Sequence, residues 1–228
     1  MMKRIIQPEL LDSLSPSDPR AIRSRRDLRR INALMCNHAI MRRELEKNLD
    51  GRAPGQIAEI GAGDGDFLLR VTRYFSSHWR NPKVRLMDLQ ATVAPETLKA
   101  FLNLGWRAEV VVADVFNRPP VDCDVVIANL FLHHFEEARL KQLFNMISQS
   151  AGLFIAIEPR RASWPLFFSR LLWVIGCNGV TRHDAVVSVR AGFTGKELSA
   201  LWPDKINWQL REQNAGAFSH LFVARKIS

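Results

Sequence analysis

Apolar residues within residues 22–49 return at three- and four-residue steps, as Leu28, Ile31, Leu34, Met35, Ala39 and Leu45. Neither glycine nor proline interrupts them, so the spacing predicts one long helix. Ahead of it, Pro8, Pro16 and Pro19 lie among Ser and Asp and predict an irregular arm; Asp50-Gly51 and Pro54-Gly55 close the segment. Past residue 55 the rhythm changes. Short runs of Val, Ile and Leu cover 56–60, 84–87, 110–113, 125–128 and 153–157, and helical spacing returns between them at 66–77, 94–104 and 136–148. Runs that are apolar at nearly every position are buried on both faces, and strands alternating with helices predict a parallel sheet. Near the end, 208–212 and 218–224 flank Asn214-Ala215-Gly216 and predict a hairpin closing the sheet. Between the fifth strand and that hairpin, 164–175 is densely apolar and aromatic, 178–190 reads as a polar loop, and 194–201 as a short helix. The expected organisation is an arm and helical cap over 1–50 and an α/β domain over 51–228, with 163–193 inserted as a lid.

Composition adds bounds. The chain has 228 residues, 47% of them hydrophobic and 24% charged, which excludes a disordered or fibrous protein. Cys36, Cys123 and Cys177 lie far apart with no CxxC pair, so neither a disulfide framework nor a zinc ribbon is encoded, no metal site is expected, and a reducing, cytoplasmic setting follows. The first residues lack a signal-peptide pattern, and no stretch reaches the roughly 18 uninterrupted apolar residues of a membrane span. The net charge is +9, and it is unevenly placed: residues 1–50 carry +4, 51–160 are neutral, and 161–228 carry +5. An acidic partner would meet the flanks first. Arg23, Arg25, Arg26, Arg29 and Arg30 crowd the first turns of the long helix, the wrong end for its dipole, so they are expected to reach outward.

The loop after the first strand reads Glu59-Ile60-Gly61-Ala62-Gly63-Asp64-Gly65-Asp66. Alternating glycines there let backbone amides approach a ligand at the carboxyl edge of a sheet. A dinucleotide needs G-x-G-x-x-G and a pyrophosphate on the helix N-terminus. Here the third glycine comes one residue early, and Glu59, Asp64 and Asp66 would surround the phosphates with carboxylates. A ligand bearing cations and no phosphate fits better. S-adenosylmethionine has an ammonium group, a sulfonium and a ribose diol. Asp88 at the end of the second strand suits the ribose hydroxyls, Asp114 after the third suits the adenine amino group, and Asn129 at the end of the fourth lies beneath the methionine part.

These motifs, with Leu86-Met87-Asp88, Ala113-Asp114-Val115 and Asn129-Leu130-Phe131-Leu132-His133-His134-Phe135, resemble the successive motifs of class I S-adenosylmethionine-dependent methyltransferases. The Leu-His-His-Phe element resembles the ubiquinone/menaquinone-biosynthesis type. More loosely, Arg30-Ile31-Asn32, Thr181-Arg182-His183-Asp184 and Gly192-Phe193-Thr194 are similar to small bacterial methyltransferases that accompany type III polyketide synthases. Alanine at 62 and aspartate at 64 depart from the cysteine and the threonine or serine frequent in the family. The resemblance covers roughly 50–225. It implies a Rossmann-like, seven-stranded, mostly parallel sheet with a terminal antiparallel hairpin, and a cofactor site of Glu59, Gly61, Ala62, Gly63, Gly65, Asp88, Leu89, Asp114, Val115, Asn129 and Leu130.

Methyl transfer from a sulfonium discharges the donor, so an apolar pocket and alignment supply much of the rate. A base is needed only where the acceptor must lose a proton, and histidine suits a phenol. His134 and His133 beside the donor rank ahead of His183, which neighbours Asp184 in the predicted loop; His38 reads as surface or packing. The 164–175 segment has three readings: an acceptor lid packed on the N-terminal helix, a tunnel lining, or a peripheral membrane contact. The expected function is O- or C-methylation of a lipophilic, aromatic small molecule in secondary metabolism. The alternatives are an RNA methyltransferase, disfavoured by a single tyrosine and no RNA-binding module, or a noncatalytic partner of a biosynthetic complex.

Overall fold

The computed structural model describes residues 2–227. Three helices come first: α1 (Leu10–Ser13), α2 (Pro19–Leu34) and α3 (Asn37–Leu49). Strands and helices then alternate through β1 (Gln56–Ile60), α4 (Asp66–Thr72), β2 (Lys83–Asp88), α5 (Pro95–Asn103), β3 (Arg107–Val112), β4 (Cys123–Asn129), α6 (Glu137–Ser150) and β5 (Ala151–Pro159). The chain continues through α7 (Ser163–Arg170), α8 (Gly179–Ala191) and α9 (Glu197–Leu201) into the hairpin β6 (Trp208–Ala215) and β7 (Ser219–Lys226).

The strands make one seven-stranded sheet in the order β3-β2-β1-β4-β5-β7-β6. The first five pair in parallel, and β7 lies antiparallel between β5 and β6, as the sequence predicts. Alternate residues of the central strands feed opposite cores. Ala128, Phe154 and Phe222 pack with Leu143, Phe144 and Trp202 from α6 and the α9 end. Ile127, Ile155 and Val223 pack with Met41 and Leu45 of α3 and Leu68 of α4. Thus α3 is one of the helices flanking the sheet, not only a cap over it. The chain order reverses between β1 and β4, and the crevice at the carboxyl ends of those strands is where open α/β sheets bind ligands.

Two expectations about the helices fail. The single helix over 22–49 is broken in two, because Cys36 adopts a left-handed conformation with φ 58°. The region 178–190 is not a loop but α8. Asn178 caps it, its side chain accepting from the Thr181 amide, and Val180, Val187 and Val189 are buried. Thr181 and Asp184 are buried too, so polar residues that read as solvent-facing are satisfied by partners elsewhere in the chain.

Candidate active site

The glycine loop is held open by its own backbone. Gly61, Gly63 and Gly65 all have positive φ. A Cβ on Gly61 would sit 2.2 Å from the Phe131 ring, so this position is sterically closed to any side chain. At Gly63 the same test finds nothing within 4 Å, which leaves the crest of the loop free to meet a ligand. The loop is tied down by Asp88, which accepts from the Gly63 amide at 2.8 Å and the Gln90 amide at 2.9 Å, and by the Thr92 hydroxyl donating to the Gly63 carbonyl.

Beneath the loop, Glu59 is buried at 1% exposure, and its Oε2 has no hydrogen-bond partner. Burial, reinforced by Asp64, Asp88 and Asp66, pushes its carboxyl well above the ordinary range. A buried acid left unpartnered in a ring of negative charge is complementary to a cationic group. The ammonium of S-adenosylmethionine is such a group, and the open glycine crest leaves room for the rest of the ligand. The residues present therefore fit that cofactor.

The helices over the loop are bonded to it. Arg29 of α2 pairs with Asp64, so this member of the arginine cluster turns inward to the loop. Asn129 at the end of β4 donates to Asn32 Oδ1 at 3.0 Å and accepts from Asn37 Nδ2 at 3.1 Å; Asn37 in turn accepts from Ser219. This buried chain links α2, α3, β4 and β7. Asn32 and Asn37 carry no sequence signal for the role, because only the tertiary fold brings them to Asn129.

Beyond Asn129 the backbone turns through Leu130 in the left-handed region, φ 53°. Glu158, fully buried at the end of β5, collects the turn: it accepts from the amides of Phe131 (3.0 Å), Leu132 (2.8 Å) and His133 (3.3 Å) and from His133 Nδ1 (2.8 Å). On its other side His133 Nε2 lies 3.2 Å from Glu9, which also accepts from Ser188. Burial alone would lower the His133 pKa, but hydrogen bonds to Glu158 and Glu9 and their charges outweigh it and raise it to about 9. Burial likewise opposes ionisation of Glu9, yet His133 brings its pKa down to about 2. The cluster is a buried imidazolium held between two carboxylates. Glu9 and Glu158 went unrecognised in the sequence as site residues.

These elements enclose a cavity of about 510 Å³. Glu59, Gly61, Ala62, Gly63, Asn129 and Leu130 form one wall, and Leu28, Met35, Phe168, Leu172 and Val174 an apolar wall opposite. The structure sorts the remaining expected residues. Asp88 and Gly65 stand behind the loop, Leu89 is exposed, and Val115 is buried under the next turn. Asp114 caps its own turn by accepting from the Phe116 amide at 2.9 Å. Of the three candidate bases, only His133 lines the cavity. His134 points to Asp12, with 3.4 Å between Nδ1 and Oδ2. His183 is half exposed against Asp184 at 2.9 Å, because α8 turns it off the wall that Asp184 and Ala185 occupy. His38, read as surface or packing, reaches the cavity, its ring tilted against Phe67 at 4.9 Å between ring centres. Burial, with help from Arg70, lowers its pKa and keeps it neutral. Glu9, His133 and His134 bring ligating atoms within 4.8 Å of one another. Both His133 nitrogens are already engaged, Nδ1 by Glu158 and Nε2 by Glu9, so an ion would have to displace one of those contacts.

No family model matches the chain. Among curated proteins it is similar to uncharacterized methyltransferases of Mycobacterium bovis and Mycobacterium tuberculosis, 28% identical over 119 residues, covering 48% of this chain and 56% of theirs. The chain thus spans a little over half the length of the curated relatives it matches. Among solved structures it superposes on the plantazolicin methyltransferase BamL in complex with SAH and a triazolic desmethylPZN analog, with TM-score 0.63 and 14% identity over 92% of each chain. It also superposes on the mitomycin 7-O-methyltransferase MmcR, with TM-score 0.62 and 19% identity over 95% of this chain and 60% of that one. The pyocyanin biosynthetic protein PhzM gives 0.61 and 18% over 92% and 59%. Sheet order, glycine loop and these superpositions agree: the chain has the fold of the class I S-adenosylmethionine-dependent methyltransferases.

Proposed function

We propose that the protein transfers a methyl group from S-adenosylmethionine to the oxygen or carbon of a lipophilic small molecule. One observation carries the reading: the unpartnered acid of Glu59 and the open glycine crest form one wall of a cavity whose opposite wall is apolar. When bound, the cofactor supplies an electrophilic methyl carbon on a sulfonium. Glu59 takes the ammonium end, Asp88 the ribose, and the exposed face of Leu89 with Asp114 and Val115 the adenine. The apolar wall orients the acceptor and excludes water, which favours a reaction that disperses charge. Where the acceptor must lose a proton, His38 is the neutral imidazole on the wall and takes it. His133 acts instead as a positioning residue, fixing the turn that carries Asn129 and Leu130. The neighbours named for plantazolicin, mitomycin and pyocyanin support a natural-product acceptor.

Calorimetry tests the donor site without any acceptor. An ammonium arriving beside Glu59 favours its ionised form, so S-adenosylmethionine binding releases a proton wherever the free carboxyl is protonated, and its heat there varies with the buffer's ionisation enthalpy. Glu59→Gln removes that dependence and weakens binding by about 10- to 100-fold, the loss of one charge-assisted hydrogen bond. Buffer-independent heats, or unchanged affinity in the variant, refute the assignment.

A further inference from the structure

α7 and the turn that follows it end in apolar side chains with nothing packed over them. Phe167 is 57% exposed, Trp173 60% and Val174 65%, and Leu34 at the end of α2 lies 65% exposed. Leu34, Phe168, Val174 and Ile175 are all exposed and also line the cavity, so its mouth opens through this patch. The aromatic rings brace one another, with Trp164 edge-on to Phe168 at 4.6 Å and stacked on Phe218 at 4.8 Å. Cations border the patch. Arg23 donates to the Gly176 carbonyl at 3.4 Å, Arg170 ends α7, and Arg23, Arg30 and Arg182 act on Cys177 at the end of the turn. The nearby acid, Asp27, is buried and occupied by the Asn178 amide, Thr181 and Arg30.

We propose that this tip docks on an anionic lipid bilayer and that the acceptor enters the cavity from the lipid phase; the second half rests on reading the cavity as the acceptor site. Exposed aromatic and aliphatic side chains bordered by arginines match the chemistry of a membrane interface, where acyl chains meet charged headgroups. No helix among the described residues is long and apolar enough to cross a membrane, so the contact is with one leaflet. A second copy of the chain fits less well, because a two-fold contact through the tip sets the same arginines face to face. Nucleic acid fits less well too, because the aliphatic Leu34, Val174 and Ile175 lie among the rings where a strand's phosphates would need cations.

Trp164 and Trp173 are the exposed tryptophans, the other four being buried, so intrinsic fluorescence reports the tip. The experiment mixes the full chain with vesicles of phosphatidylcholine alone or with 30% phosphatidylglycerol, and follows sedimentation and quenching by brominated acyl chains. The expected result is binding to the anionic vesicles with quenching, loss of binding in 0.5 M salt, and little binding to the neutral ones. Phe167→Ser/Trp173→Ser and Arg23→Glu/Arg170→Glu, none of which lines the cavity, each lower vesicle affinity tenfold or more while S-adenosylmethionine affinity is unchanged. Binding without quenching, equal binding by the variants, or failure to bind overturns the proposal. So does a dimer in sedimentation that Phe167→Ser/Trp173→Ser dissociates, or retention of the chain by RNA but not by vesicles. Donor affinity measured without vesicles keeps the two readings apart: its absence defeats the methyltransferase proposal and leaves membrane docking standing.

Discussion

The imidazolium of His133 should make this protein lose stability on the alkaline side of neutrality. Its folded-state pKa is about 9, against 6.5 for an ordinary histidine. A pKa raised by folding stabilises the folded state fully below pH 6.5, and that contribution is lost as pH rises through 9. The gap of about 2.5 units, at 1.36 kcal/mol each, corresponds to about 3 kcal/mol. The depressed pKa of Glu9 describes the same contact from the other side and is not added; its own signature lies in acid, where stability present above pH 4.5 is lost as pH falls through 2. Thermal unfolding from pH 6 to 10 is the assay, with the His133 ring followed by NMR. The melting temperature should drop by about 6–12 °C across that range, at about 2–4 °C per kcal/mol for a chain of this size. Glu9→Gln, on the partly exposed arm, keeps a hydrogen-bond acceptor for Nε2 but removes a charge, so it should lower the His133 midpoint and flatten the slope. Stability that is flat between pH 6.5 and 9 in the wild type, or an identical slope in Glu9→Gln, refutes the assignment.

Three further outcomes are expected. Asn37→Ala leaves the Ser219 hydroxyl and the Asn129 carbonyl oxygen without their buried partners, costing about 1–3 kcal/mol for each group left unpaired, and denaturant titration measures it. Gly61→Ala drives a methyl group into the Phe131 ring, so stability in denaturant titration and donor affinity in calorimetry should both fall, whereas Gly63→Ala, with no protein atom near its methyl, should cost less stability. His38→Gln should cut turnover of a phenolic acceptor about 10²–10⁴-fold, and the acid limb of the pH–rate profile should vanish while donor affinity stays unchanged.

The sheet was legible because its strands are apolar on both faces, a pattern that survives without knowledge of the partners. The glycine loop was legible because Gly61 and Gly65 are demanded by backbone geometry. What escaped depends on distant partners. The break at Cys36 has no glycine or proline to announce it, and the Asn32–Asn37–Asn129 chain that spans it joins residues 92 and 97 positions apart. Beyond that break, His38 of α3 lies on the cavity wall. For the two histidines after β4, adjacency in sequence hid opposite fates: Glu158 and Glu9 claim His133, while His134 turns to Asp12. Helix α8 was hidden by buried polar residues. Thr181 is satisfied by Ser24 and Asp27, and Asp184 by the amides of Leu10 and Leu11.

The arm before α1 is stitched to the far end of the chain. Arg4 donates to the Ala191 carbonyl across 187 positions, and Arg161 donates to that of Met2 across 159. Such distant closures are slow to form, because the intervening chain must be ordered before they yield any gain. The arm is synthesised before every one of these partners, so its contacts close only after β4, β5 and α8 have followed it. Glu9 then arrives among the last pieces, and the imidazolium of His133 is locked in only at that point. Docking of the arm is therefore tied to α8, and a chain cut before residue 191 would lack the carbonyl that Arg4 binds there.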